Sequence, residues 1–238
     1  MILEFVKNQF PETALEIERL ETLGFHQRTL SWLLALDEET AQTACWLMGK
    51  VGNDDDADAM VSILSSQRSE LWMYAATALS LIATERHLTS LLSILSSSPH
   101  ANQKESAAYA LSFLTKCQVN SQVIDILTQV AANNSENPSV RAQALEGLGN
   151  KLSEELPQDL YQRAVTVMIQ CLDDAEAEVR FWACFAVGAI RAKDALPKLQ
   201  VLAQTDDAIV PLWWSVGKEA EDAIALINGD EPPLGKPL

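Results

Sequence analysis

The chain has 238 residues and carries 33 acidic against 17 basic side chains, a formal net charge of −16. With 48% hydrophobic and 21% charged residues it reads as globular rather than disordered. The acid excess removes the basic footprint that nucleic-acid binding needs, and it opposes anionic membrane surfaces for the same reason. It suits solubility, or a basic protein partner steered in by opposite charge.

Cys45, Cys117, Cys171 and Cys184 are widely spaced inside apolar helical patterns, and none forms a C-x-x-C pair. Small buried thiols in a reducing compartment are the expectation. No apolar run reaches the length of a membrane span, and the N-terminus has Glu4 and Glu12 where a signal peptide would be apolar. These features predict a cytoplasmic protein.

In chain order, Pro11 to Leu23 predicts an acidic amphipathic helix ending at Gly24, and Thr29 to Leu36 a second one. Residues 1–36 are therefore read as an irregular N-terminal helical cap. From residue 37 a mark recurs: a small residue, then a small or apolar pair closing in Gly or Ser. It ends at Gly49, Ser80, Ser112, Gly149, Gly188 and Gly217, once every 29 to 39 residues or so. Small side chains there let two helices approach closely, and the Gly is expected to close the first helix of each pair.

A second helix is predicted after each mark. Apolar residues fall at helical spacing in Met60, Val61, Leu64; in Leu88, Leu91, Leu92, Leu95; and in Val123, Ile124, Leu127, Val130. Leu160, Ala164, Val167, Cys171 and then Leu196, Leu199, Leu202 continue the series. Between the pairs lie Asp54–Asp56, Ser96–His100, Asn133–Pro138, Asp173–Asp174 and Asp206–Asp207, which is N-cap and turn chemistry. No segment reads as a strand. The prediction is an all-α, right-handed solenoid of about six helical hairpins over residues 37–228, followed by an irregular, mobile tail over 229–238.

The motif carriers are Asn137-Pro-Ser-Val-Arg141 with Ala144 and Gly149, and Glu178-Val-Arg180 with Ala183, Gly188 and Ala195-Leu-Pro197. On these residues the chain resembles HEAT-repeat proteins, and most of all the short HEAT-like repeats of phycobilisome lyases. The resemblance covers residues 37 to 228 and thins before residue 100. It implies a structural ladder in which Arg141 and Arg180 each reach an acid of a neighbouring repeat. For activity it leaves three classes open: a binding scaffold, a phycobilin lyase-type subunit acting on a bilin-bearing protein, and a DNA glycosylase, which the charge disfavours.

Catalytic chemistry finds little footing. His26, His87 and His100 are far apart and read as surface residues with no metal-ligand spacing. Asp54–Asp56 with Asp58 lacks the remaining ligands of a calcium loop, and no Ser or Cys is marked as an activated nucleophile. No cofactor and no metal are expected. Six tryptophans stand out. Trp72 and Trp182 share a helix type, and Trp46 and Trp214 share a repeat position. Trp213 and Trp214, read as adjacent helical residues, cannot share a face, so one of them is expected to be exposed as an interface anchor. The polar positions of the second helices, Asp58, Ser62, Thr89, Ser93, Asp125, Gln129, Gln162 and Thr166, are expected to line a mildly acidic ridge with few cations. The leading function is non-catalytic protein binding to a basic partner, as an adaptor or an immunity-type inhibitor.

Overall fold

The structure is a computed structural model that describes residues 2–117 and 120–230. Most of the tail read as irregular, from residue 231 onward, lies outside the described residues. Within them the chain is α-helical and has no strand, only an isolated antiparallel bridge between Ile209 and Ser215. It divides into two compact units after residue 118.

The first unit opens with α1 (Ile2–Gln9), α2 (Ala14–Thr22) and α3 (Leu30–Ala35). Helix α1 was not anticipated. The helix expected from Pro11 begins instead as a 3-10 turn over Pro11–Thr13, where the missing proline N–H is harmless. Gly24 ends this region with φ +91, a left-handed conformation that only glycine adopts freely. Then come α4 (Glu38–Val51), α5 (Asp54–Leu64), α6 (Trp72–Ile82), α7 (Leu88–Ser97) and α8 (Ala101–Ser112).

Local chemistry explains the starts. The Asp37 carboxylate accepts from Thr40 N to cap α4. Asn53, rather than the acids after it, caps α5, and Asp56 returns a bond to Asn53 N in a capping box. First helices pack side by side, α4 on α6 and α6 on α8, while α5 packs on α6 and α7 on α8. The stripes that the spacing marked are the packed ones: Met60 and Leu64, and Leu88, Leu91, Leu92 and Leu95, are buried. Each such side chain contributes roughly 1.5–3 kcal/mol on leaving water.

The second unit holds α9 (Ser121–Ala132), α10 (Pro138–Lys151), α11 (Gln158–Cys171), α12 (Ala177–Ala189), α13 (Leu196–Thr205) and α14 (Val216–Asn228). Asn137 caps α10, with Pro138 at the first helical position. Here α10 packs on α12 and α12 on α14, with α9, α11 and α13 flanking them.

Of the two roles expected of the closing glycines, close helix approach is found and helix closure is not. They do not end their helices: α4 runs past Gly49, α10 past Gly149 and α12 past Gly188. They are contact points. A Cβ on Gly49 would stand 3.0 Å from Ala78 Cα, one on Gly149 2.9 Å from Ala186 Cα, and one on Gly188 2.8 Å from Ala223 Cα. The small-residue mark therefore sets how closely one first helix lies against the next.

The sixth mark is a correction. Leu212–Ser215 is not the end of a first helix but part of a loop leading into α14, and Gly217 sits in the first turn of that helix. A Cβ there would meet Asp206 O at 2.9 Å and Leu202 O at 3.1 Å, so the glycine lets α14 start against the end of α13.

Candidate binding surface

The second-helix ridge is solvent-facing but far from bare. In the first unit Thr89 and Ser93 are exposed, and the Ser62 hydroxyl is spent on Asp58 O of its own helix. Arg86 pairs with both Asp58 and Asp54. In the second unit Arg163 Nη2 donates to Asp125 Oδ1 at 2.6 Å, and Gln129 Nε2 donates to Asp125 Oδ2 at 3.0 Å. Gln162 is exposed, and Thr166 bonds back to Gln162 O. The ridge expected to hold few cations thus has one arginine seated on each of its aspartates.

His87, read as a surface residue, is buried. Its Nδ1 accepts from Thr84 N at 3.0 Å, completing a capping box, while Nε2 lies 3.2 Å from Asp58 Oδ1 but off the hydrogen-bonding line.

Arginine organises the second unit. Buried Arg141 donates from Nε to Ala131 O at 3.1 Å, and from Nη2 to Asn134 Oδ1 at 3.1 Å and Asp174 Oδ2 at 2.5 Å. Arg180 donates from Nε to Asp206 Oδ2 at 2.7 Å, and from Nη1 to Asp174 O at 2.8 Å and Ala175 O at 3.0 Å. Arg141 thus links the turn after α9 to the turn after α11, and Arg180 the turn after α11 to the turn after α13, so each joins one hairpin-to-hairpin turn to the next. Burial pulls the Asp174 carboxyl upward, but the bonds from Arg141 and Glu176 N outweigh it and hold the group below the usual carboxylate range. The Asp206 contact raises the Arg180 guanidinium further.

These turns frame a cleft of about 720 Å³ between residues 132–138 and 171–176. Arg141, Glu136, Asp173, Asp174 and Glu176 are among the residues that line it. Asp173 is paired with Lys198 Nζ at 2.5 Å and Asp174 with Arg141, while Glu176 faces solvent. Glu136, Asp173 and Asp174 lie in stretches whose sequence reads as turn and cap chemistry, and Glu176 follows the second of them. Their convergence was hidden because Glu136 and Glu176 are far apart along the chain.

The tryptophans divide by environment. Trp72 is buried, donates Nε1–H to Ser66 O at 3.0 Å and stacks on His100, which makes it a packing residue. Trp182, Trp213 and Trp214 gather around Phe181. Their ring centroids lie 5.4, 6.0 and 6.0 Å from that ring. The expectation that Trp213 and Trp214 cannot share a face fails, because they lie in a loop where the 100° helical step does not apply. Trp214 Nε1–H donates to Glu219 Oε2 at 2.8 Å. Burial pushes the Glu219 carboxyl up to about 7, with Asp222 adding to the rise and the Trp214 bond and Lys218 opposing it.

Cys45, Cys171 and Cys184 are buried, whereas Cys117 is only half-buried. Desolvation raises the Cys45 thiol to about 12 and Cys171 to about 11, and Cys184 moves the same way. These three are thiols rather than thiolates at neutral pH, which removes them as nucleophiles. Among the described residues no three His, Cys, Asp or Glu side chains converge to hold a metal ion. No helix there is long and apolar enough to cross a membrane.

Paired antiparallel helices, stacked first helix on first helix through small residues and stitched by arginines that reach successive turns, define an α-helical hairpin-repeat protein. More particularly, the chain belongs to the HEAT-repeat family, whose model matches residues 28–112 and 120–214. No curated protein sequence matches it. Solved structures share the fold at low identity. A designed armadillo repeat protein in complex with the peptide (KR)4 is 18% identical, with a TM-score of 0.51 over 86% of this chain and 100% of that one. The complex of CpcE and CpcF of phycocyanin lyase from Nostoc sp. PCC7120 gives 19% identity and a TM-score of 0.54, covering 64% of this chain and 91% of that one. An engineered protein gives 21% identity and a TM-score of 0.52, covering 85% and 96% respectively.

Proposed function

We propose that this HEAT-repeat protein is a non-catalytic scaffold that binds a basic segment of another protein, with the acidic cleft of the second unit as the receiving site. The observation that carries this reading is the convergence of Glu136, Asp173, Asp174 and Glu176 on one cleft. The fold supports it, since hairpin repeats present extended surfaces to partners. So does the net charge of −16, which draws cations in and repels nucleic acid. The designed armadillo protein takes a Lys/Arg peptide on a similar fold. Exposed ridge positions, among them Thr89, Ser93, Gln129 and Gln162, extend the surface on their own units. Asp58 and Asp125 are paired with arginines, and within the cleft Asp173 and Asp174 are likewise paired with Lys198 and Arg141, so Glu136 and Glu176 are the acids that the test targets. Binding of this kind suits an adaptor or an immunity-type inhibitor in the cytoplasm.

The test is titration calorimetry with the peptide (KR)4 and an uncharged Gly-Ser peptide of equal length, at low and high salt. Selective (KR)4 binding that weakens with salt, and weakens again in Glu136→Gln and Glu176→Gln, supports the reading. Equal binding of both peptides, or none of either, sinks it.

A phycobilin lyase-type subunit is the second reading, favoured by likeness to the CpcE and CpcF complex. It requires a visible absorbance shift when phycocyanobilin is added. A spectrum identical to that of the free pigment removes it.

A further inference from the structure

Ile209, Leu212 and Trp213 are large apolar residues that are 58%, 86% and 37% exposed, all on the loop that connects α13 to α14. The loop is held firmly in place. Val210 N–H donates to Trp214 O at 3.2 Å, and Trp213 N–H to Val210 O at 2.9 Å. Its base is closed by Val216 N–H to Ala208 O at 3.0 Å and Gly217 N–H to Asp206 O at 2.8 Å. Beneath it, Trp213 and Trp214 rest on Phe181. At the tip, Leu212 has φ +69, a left-handed conformation that side chains other than glycine, asparagine and aspartate seldom adopt. Nothing buried compensates, because the Leu212 side chain stands in solvent. The tip therefore holds an exposed leucine in a backbone state that glycine would adopt more easily. Strain retained in this way clusters at ligand-contacting sites.

We propose that Ile209, Leu212 and Trp213 form an apolar anchor point for a cationic protein segment that carries an apolar side chain beside its Lys or Arg residues. The occupant follows from charge and continuity. Arg180 ties the loop to the acidic cleft, donating to Asp206 on one side and to the carbonyls of Asp174 and Ala175 on the other. Exposed Asp207 lies on the loop itself, and exposed Glu176 on the cleft's turn. In this arrangement the segment's cations occupy the acidic strip and its apolar side chain meets the tip. Tryptophan faces add favourable sites for Lys or Arg. A second copy of the chain brings the same net charge of −16 and is repelled, as is an anionic membrane. The inference rests on the proposed reading of the cleft, and supplies the rigid aromatic and aliphatic contact around which protein interfaces concentrate their binding.

The probes are (KR)4 and the same peptide with two leucines inserted at its centre. They are titrated into the full chain, into Leu212→Gly and into Ile209→Ser, with thermal midpoints and sedimentation velocity measured alongside. Leu212→Gly is decisive because glycine accepts φ +69 without strain. Removing an anchor then leaves the thermal midpoint equal or higher, whereas removing a packing residue lowers it. The expected result is that the leucine peptide binds the wild type about tenfold more tightly than (KR)4 does. That gain disappears in Leu212→Gly while (KR)4 affinity is retained. If the wild type binds (KR)4 but gains nothing from the leucines, or if the gain survives in both variants, the anchor is wrong and the cleft reading stands. If neither peptide binds, both readings fall. Self-association of the wild type that Leu212→Gly abolishes overturns the inference in favour of a second copy.

Discussion

Gly188 lies against Ala223 so closely that a methyl group on the glycine would stand 2.8 Å from the facing Cα. Helix α12 could not occupy its present distance from α14 with any larger residue there. The same relation joins Gly149 to Ala186 at 2.9 Å. In an exposed helix, Gly→Ala stabilises by about 0.5–1 kcal/mol. Here the obstacle is backbone, which cannot swing aside. Gly188→Ala is therefore expected to destabilise the second unit by about 1–3 kcal/mol, read as a lower urea midpoint. An unchanged or raised midpoint would show that the two helices can part freely.

Arg141 and Asp174 form a pair whose side chains are 5% and 10% exposed. Removing Arg141 deprives the Asp174 carboxylate of its cation, leaving it the bond from Glu176 N, and Arg141→Met also leaves Ala131 O with only the weak bond from Cys171 Sγ. The expected loss is about 3–5 kcal/mol. The double variant Arg141→Met/Asp174→Asn should recover part of it, since no unpaired buried charge remains. A double variant no more stable than the single one would contradict this account.

Arg163 and Asp125 make the opposite case. Both side chains are well exposed, so Arg163→Ala should change stability by less than about 1 kcal/mol. It should also alter (KR)4 affinity less than Glu176→Gln does, because binding is assigned to the cleft. A larger effect from Arg163→Ala would shift the site toward the second-helix ridge.

Glu219 gives a pH dependence with a definite sign. Burial raises its carboxyl from 4.5 to about 7, so between those values the folded protein holds a proton that the unfolded chain releases. Stability from this group is complete below about pH 4.5 and is lost as pH rises through about 7. Glu219→Gln should remove that slope and stabilise the unit at pH 8 by on the order of 1–3 kcal/mol. Trp214, bonded to the carboxylate, should change its fluorescence over the same window in the wild type and not in the variant. A wild-type urea midpoint that does not vary between pH 5 and 8 would contradict the assignment.

The helical periods of Leu88 to Leu95 and of Val123 to Val130, and the recurring small residues, were legible in the chain because they are local rules. A helix returns a side chain to the same face every three or four residues, so the order of residues alone states which will be buried. The same local logic misled at Leu212–Gly217. There the pattern of a helix end was present, but the chain was already turning and the tryptophans followed loop geometry. It was right that small residues at the mark bring two helices close, and wrong that the glycines close their own helices, which run past them. The acidic cleft, the Leu212 tip and the buried Glu219 could only be decided by tertiary structure. Desolvation, ion pairing and the meeting of distant turns depend on distances through space, and residues such as Glu136 and Glu176, far apart in sequence, acquire those only once the hairpins have stacked.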